Sequence, residues 1–183
     1  MIFATMNFMN PDISIWLVPE KSQELTLQKT IDNLAQKYQA CSFIPHITVY
    51  YLGTNLSLNE TIKIVEEETA DVQPFSINFD AIKYSDIFIK TLYIQYRIDP
   101  PLKNLYEKIK NKMNKYFDYK LSPHLSLIYK NQLVDAEKQK IISQLDYPKV
   151  LTIDRLMIIT KNGSIITKEA DVLDWHIVFE KQL

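Results

Sequence analysis

Two hexapeptides carry the residues best suited to chemistry: Pro45-His46-Ile47-Thr48-Val49-Tyr50 and Pro123-His124-Leu125-Ser126-Leu127-Ile128. Each runs proline, histidine, aliphatic, hydroxyl, aliphatic. The chain holds three histidines, and two of them stand in these matching segments. Both segments alternate polar with apolar residues, the period of a half-buried strand. In a strand, positions i and i+2 share a face, so His46 stands beside Thr48 and His124 beside Ser126, roughly 6 to 7 Å apart along the backbone. Two such pairs facing one another would surround a small anion with two proton-transfer groups and two hydrogen-bond donors. Imidazole titrates at about pH 6.5, so one ring can hold a proton while the other accepts one. Water attacking phosphorus must lose a proton, and the departing oxygen must gain one. The residue types and their duplication therefore point to hydrolysis of a phosphodiester. His46 and His124 would exchange the protons, and Thr48 and Ser126 would bind the non-bridging oxygens. Neither motif brings a neighbouring carboxylate or a second close histidine, so no metal centre and no cofactor are expected.

The elements that must hold these motifs can be read around them. Residues 12–19 read as a strand closed by Pro19. Residues 22–39 read as a helix, with Ser22 as N-cap candidate and Leu27, Ile31, Leu34 and Ala35 in its apolar stripe. The first motif strand follows at 45–51. Helix 58–71 comes next, its Glu66-Glu67-Glu68 face reading as solvated surface. Beyond it lie strand 74–81, a turn at 84–86, a longer strand 87–98 and helix 99–116, opened by Asp99-Pro100-Pro101. The second motif strand spans 123–129 and is followed by helix 134–145. Strand 149–160, a hairpin turn at Asn162-Gly163 with its partner at 164–168, and a final strand 175–179 complete the chain. Strand, helix, motif strand, helix thus occurs twice, an internal duplication rather than a repeat array. Two similar lobes about a pseudo-twofold axis would set His46 opposite His124. The expected architecture is α+β with largely antiparallel sheets, one bilobal domain over 1–183. Lobe one is drawn mainly from 12–84 and lobe two from 86–160, with 175–179 as terminal strand and segments free to exchange.

Composition narrows the function further. Of 183 residues, 46% are apolar and 23% charged, which marks a globular chain. The 21 basic side chains balance 22 acidic ones, against a track for long nucleic acid. A short or single-nucleotide phosphate remains compatible. The single Cys41 excludes an internal disulfide and fits a reducing compartment. No apolar run approaches the roughly 20 residues of a membrane span. The N-terminus lacks a basic n-region and a long h-region, so no signal peptide is read and a cytoplasmic location is expected; the chain is also expected to be a monomer without membrane or protein partners. Only Gly53 and Gly163 are glycines, too few for a phosphate-binding glycine loop. His176, Tyr93 and Tyr96 read as structural, and Cys41 as a small buried residue. Lys83, Lys90, Arg97 and Lys130 read as scattered surface cations. Residues 1–11 read as a loose lead-in whose Phe3, Phe8 and Met9 could pack on a lobe.

Paired His-x-Thr/Ser motifs on strands, one per half, resemble the mark of the two-histidine phosphoesterase superfamily. Within it the chain is most similar to the cyclic phosphodiesterases of nucleotide metabolism. The stretches Ile13-Ser14-Ile15-Trp16-Leu17-Val18-Pro19, Thr91-Leu92-Tyr93-Ile94, Ser122 to Tyr129 and Asp135-Ala136-Glu137-Lys138 extend the similarity over most of 12–145. The resemblance implies a bilobal α+β fold with two antiparallel sheets lining a central cleft and helices outside. It implies His46 and His124 as the acid–base pair, Thr48 and Ser126 on the phosphate, and Trp16 and Tyr129 as aromatic substrate-binding residues near the cleft. The implied reaction is metal-independent opening of a 2′,3′-cyclic nucleotide, or of ADP-ribose 1″,2″-cyclic phosphate, to a phosphomonoester. A sister activity on RNA ends (2′–5′ ligation, 2′–5′ phosphodiester cleavage or 3′-end trimming) and a non-catalytic nucleotide-binding module are the alternatives. The expected partner is thus a small nucleotide or a short RNA end.

Overall fold

Alternating side chains build antiparallel ladders, and 3.6-residue stripes build the helices that cover them. A computed structural model describes residues 11–162 and 166–183. In chain order these form β1 (Asp12–Pro19), α1 (Lys21–Tyr38), β2 (Ile47–Gly53), α2 (Leu58–Glu68) and β3 (Phe75–Tyr84). A 3₁₀ turn (Phe88–Lys90), β4 (Leu92–Tyr96), α3 (Pro100–Met113) and β5 (His124–Ile128) follow. Then come α4 (Asp135–Gln144), β6 (Val150–Lys161), α5 (Glu169–Leu173) and β7 (His176–Gln182). The strand path is β2-β1-β6-β3-β4-β5, every pairing is antiparallel, and β7 pairs β6 alongside β3. β3 joins the two halves: residues 75–78 pair β6, and the stretch from Phe79 to Tyr84 pairs β4.

Both motif strands are therefore ends of the path, and the sheet curls until β2 and β5 touch. Helices lock this closure by crossing over. α1 leaves β1 but packs on β5, and α3 leaves β4 but packs on β2. The buried stripe of α1 is Leu27, Ile31 and Ala35; that of α3 is Leu102, Leu105, Tyr106, Ile109 and Met113. Against them lie Ile47 and Val49 of β2 and Leu125 and Leu127 of β5, all fully buried. Full burial of each such side chain stabilises the fold by about 1.5–3 kcal/mol. The intervening His46, Thr48, His124 and Ser126 are thereby turned to the opposite face.

Residues 150–161, drawn mainly with the second half but free to exchange, pair with β1 from Ile153 to Lys161 and with β3 from Val150 to Ile153. The structure corrects three local expectations. Residues 87–98 are not one strand. Ser85 Oγ donates to the Lys90 carbonyl and the buried Thr91 hydroxyl to that of Phe88, and these local bonds wind the 3₁₀ turn. α1 is capped at Glu20, and Ser22 instead donates its hydroxyl to the Glu20 carboxylate. Of the expected hairpin partner, residues 166–168 form no strand, and the strand that pairs with β6 is β7. The amides of Thr167 and Lys168 donate to the Asp171 carboxylate and start α5 instead. Gly163 to Ile165 and residues 1–10 of the expected lead-in lie outside the described residues. No helix among the described residues is long and apolar enough to cross a membrane.

One buried cation ties α4 to the turn that carries residues 88–90. Lys138 is 1% exposed, and its Nζ donates to the Ser85 carbonyl, Asp86 and Asp135, each at 3.1 Å. Lys138→Met keeps the stem and removes these bonds. The unfolding free energy should drop by about 2 kcal/mol, read by urea denaturation; an unchanged midpoint would assign the contacts no net weight.

Candidate active site

Where β2 and β5 meet, the sheet encloses a cleft of about 390 Å³. His46, Thr48, His124 and Ser126 all line it, so the chain's two motifs do converge on one opening. The rings are held alike. His46 Nδ1 donates to the Ile44 carbonyl and His124 Nδ1 to the Ser122 carbonyl, both at 2.6 Å. A carbonyl oxygen only accepts, so Nδ1 carries the proton and Nε2 keeps its lone pair in each ring. The motif prolines explain the match. Pro45 and Pro123 stand between ring and carbonyl, fix φ near about −65°, and hold the preceding residue extended.

Burial sets the protonation state. His46 is 8% exposed; loss of solvent pulls its pKa down to about 3, the Ile44 carbonyl opposes this, and nearby His124 adds to it. His124 falls to about 4, again through burial, opposed by the Ser122 carbonyl and helped by the charge of Lys90. Burial thus favours the neutral form of both rings at pH 7.

The hydroxyls differ. Thr48 has no hydrogen-bond partner for its hydroxyl among the described residues, whereas Ser126 Oγ donates to the Ile89 carbonyl at 2.8 Å. That carbonyl belongs to the 3₁₀ turn, which breaks the pseudo-symmetry of the halves at this point. Trp16 and Tyr129 line the cleft but do not offer open faces. Trp16 stacks on His46 with ring centroids 3.5 Å apart and 7° between planes, and it is 3% exposed. Tyr129 stacks on Phe43 at 3.9 Å and is 4% exposed. Trp16 thus buttresses His46, and one face of Tyr129 is covered by Phe43.

Several cleft residues escaped the sequence reading. Tyr51 is there because β2 carries a bulge. Trp16 pairs with Thr48 and Ser14 with Tyr51, so two steps on β1 match three on β2. Strict alternation would have placed Tyr50 in the cleft; instead it is fully buried and donates to the Phe117 carbonyl. Trp175 reaches the cleft edge-on to Trp16 and His46 from the segment between α5 and β7. Asp12 and Lys161 face each other across β1 and β6 and line the same cleft. Of the four cations read as scattered, Lys90 lines the cleft beside Tyr93. Lys83 pairs with Asp80 and Lys130 with Glu169, and Arg97 is exposed. His176 lies on the surface against Asp174. Cys41 is half-buried, with its thiol pushed up by burial. Among the described residues, no three or more histidine, cysteine or carboxylate side chains group as metal ligands would.

The model of a family described as the 2′-5′ RNA ligase superfamily matches residues 18–164, a span that includes both motifs. A cyclic phosphodiesterase of Arabidopsis thaliana is 25% identical over 126 residues, which is 69% of this chain and 68% of that protein. Among solved structures, a Thermus thermophilus protein, TT0787, gives a TM-score of 0.62 at 10% identity over 94% of this chain and 97% of its own. E. coli LigT in its apo form gives 0.60 at 9% identity over 94% and 97%. Its complex with 3′-AMP gives 0.59 at 10% identity over 94% and 98%. At such identities the solved structures establish the fold.

The neutral rings make stability pH-dependent. An unfolded histidine binds a proton at about pH 6.5, and the folded His46 does not until about pH 3. Below pH 6.5 the unfolded chain therefore binds more protons, and stability falls with falling pH. Between pH 7.5 and 5.0, His46 should account for a loss of about 2 kcal/mol. His46→Gln should flatten the urea-midpoint profile over that range; an unaltered slope would mean the ring is solvated.

Proposed function

The chain belongs to the 2′-5′ RNA ligase superfamily of phosphoesterases, and from that premise we propose that it hydrolyses a cyclic phosphodiester to a phosphomonoester. The substrate is a 2′,3′-cyclic nucleotide or ADP-ribose 1″,2″-cyclic phosphate, in line with the name of the Arabidopsis relative. The observation that carries this reading is the pair of identically tethered imidazoles, each with Nε2 left to exchange a proton in one cleft. A cleft of about 390 Å³ suits one small nucleotide better than a long strand.

Hydrolysis forms one bond from water oxygen to phosphorus and breaks one from phosphorus to a ribose oxygen. A neutral Nε2 takes the proton from water, and the protonated Nε2 of the second ring gives its proton to the departing oxygen. Both rings start neutral at pH 7, so the second proton is taken up with the substrate. The phosphate anion favours imidazolium by direct attraction, which reverses part of the effect of burial. Lys90 adds positive charge at the His124 side. Thr48 can donate to a phosphate oxygen at once, whereas Ser126 must first leave the Ile89 carbonyl.

Incubation with EDTA and a panel of cyclic nucleotides, ADP-ribose cyclic phosphate and 2′–5′ oligoadenylate, followed by phosphorus NMR, tests the reading. Cyclic phosphates should open; cleavage of 2′–5′ linkages alone would favour the RNA-end activity, and binding without product a non-catalytic module. His46→Ala and His124→Ala should each lower kcat by about 10²–10⁴, and near-normal turnover in either would remove the pair from the mechanism. Thr48→Val should lower kcat/KM about tenfold or more, and Ser126→Ala by less. Because bound phosphate raises the imidazole pKa, the kcat profile should lie at higher pH than that of kcat/KM. Coincident profiles would contradict proton uptake with substrate.

A further inference from the structure

The end of the cleft away from the motifs holds groups that the proton transfers do not use. Asp12 is 5% exposed and lines the cleft, and its Oδ1 has no hydrogen-bond donor among the described residues. A buried carboxylate oxygen left without a donor is costly, which points to a ligand that supplies one. Tyr51 stands beside the same carboxyl: burial raises the Asp12 pKa, and the Tyr51 hydroxyl and the charge of Lys161 oppose this. Lys161, also buried, is the cross-strand partner of Asp12 and brings a positive charge beside it. Along β1, Asp12 stands four residues from Trp16, against which His46 stacks. By strand rise that is about 13 Å, comparable with the reach of one nucleotide from its phosphate to the outer edge of its base.

Resting on the hydrolase reading above, we propose that Asp12 selects the nucleobase and that the base is guanine. The carboxylate accepts from the ring N–H and the adjacent amino group of guanine, and Lys161 donates to the neighbouring carbonyl oxygen. Adenine and cytosine turn a ring-nitrogen lone pair toward the carboxylate and are repelled. Uracil offers one N–H flanked by two carbonyl oxygens, one of which abuts a carboxylate oxygen. Guanine presents two adjacent donors next to a carbonyl, the order that Asp12 and Lys161 complement. Tyr51 is a positioning residue that fixes the carboxylate.

Two readouts test this: calorimetric affinity for 3′-GMP against 3′-AMP, and kcat/KM for the corresponding 2′,3′-cyclic nucleotides. The wild-type protein should favour guanine about tenfold or more in both, because a buried acceptor left unpaired discriminates strongly. Asp12→Asn places an amide N–H against guanine's donors and should bring the ratio to one or below. Tyr51→Phe should lower it by a smaller factor. A wild-type ratio near one, or an unchanged ratio in Asp12→Asn, overturns the proposal. Should Asp12→Asn not fold, the wild-type and Tyr51→Phe ratios decide. Guanine-selective binding without hydrolysis would remove the hydrolase reading and keep the base assignment; equal hydrolysis and equal binding would do the reverse.

Discussion

Apolar packing between each helix and the other half's motif strand sets the distance between the two imidazoles. α1 rests on β5 and α3 on β2, so neither motif strand can swing out without uncovering a helix stripe. Four inward residues, Ile47, Val49, Leu125 and Leu127, hold that contact and are fully buried. Strand geometry then does the rest. What faces the helices on one side forces His46, Thr48, His124 and Ser126 to the other. The cleft is the outer surface of a closed core, and its precision derives from close packing.

Orientation within the cleft comes from a second, local device. Each Nδ1 is bonded to the carbonyl two residues earlier, across a proline that has no N–H to compete. The tether fixes both the ring plane and the tautomer, so Nε2 keeps its lone pair in both halves. Trp16 adds a stacked wall to His46, while His124 meets Tyr93 edge-on. The halves are thus alike in what they present and unlike in how they are buttressed. The same asymmetry appears in the hydroxyls, since the 3₁₀ turn engages Ser126 and nothing comparable engages Thr48.

Much of this was legible in the chain. The motif pair, its strand setting and the helices between followed from alternation, apolar stripes and the duplicated proline-histidine pattern. What was not legible depends on pairing partners distant in sequence. A bulge has no signature in β2 itself, so strict alternation would point to Tyr50 rather than Tyr51, and neither was read as a cleft residue. The hydrogen bonds of Ser85 and Thr91 broke a run that reads as one strand. Trp16 and Tyr129 were read as substrate-binding aromatics near the cleft; both line it, but nothing local reveals that His46 and Phe43 stack on them. Asp12 and Lys161 become neighbours only through the β1–β6 ladder.

The central claim is that His46 and His124 act on a single phosphate group. Nitrogen-15 NMR of the two imidazoles, titrated with inorganic phosphate at fixed pH, measures this most directly. Both Nε2 resonances should move along one saturation curve, each toward the protonated form, because the bound anion counters the burial that keeps the rings neutral. Movement of one ring alone, or two rings saturating at different phosphate concentrations, would contradict a shared site.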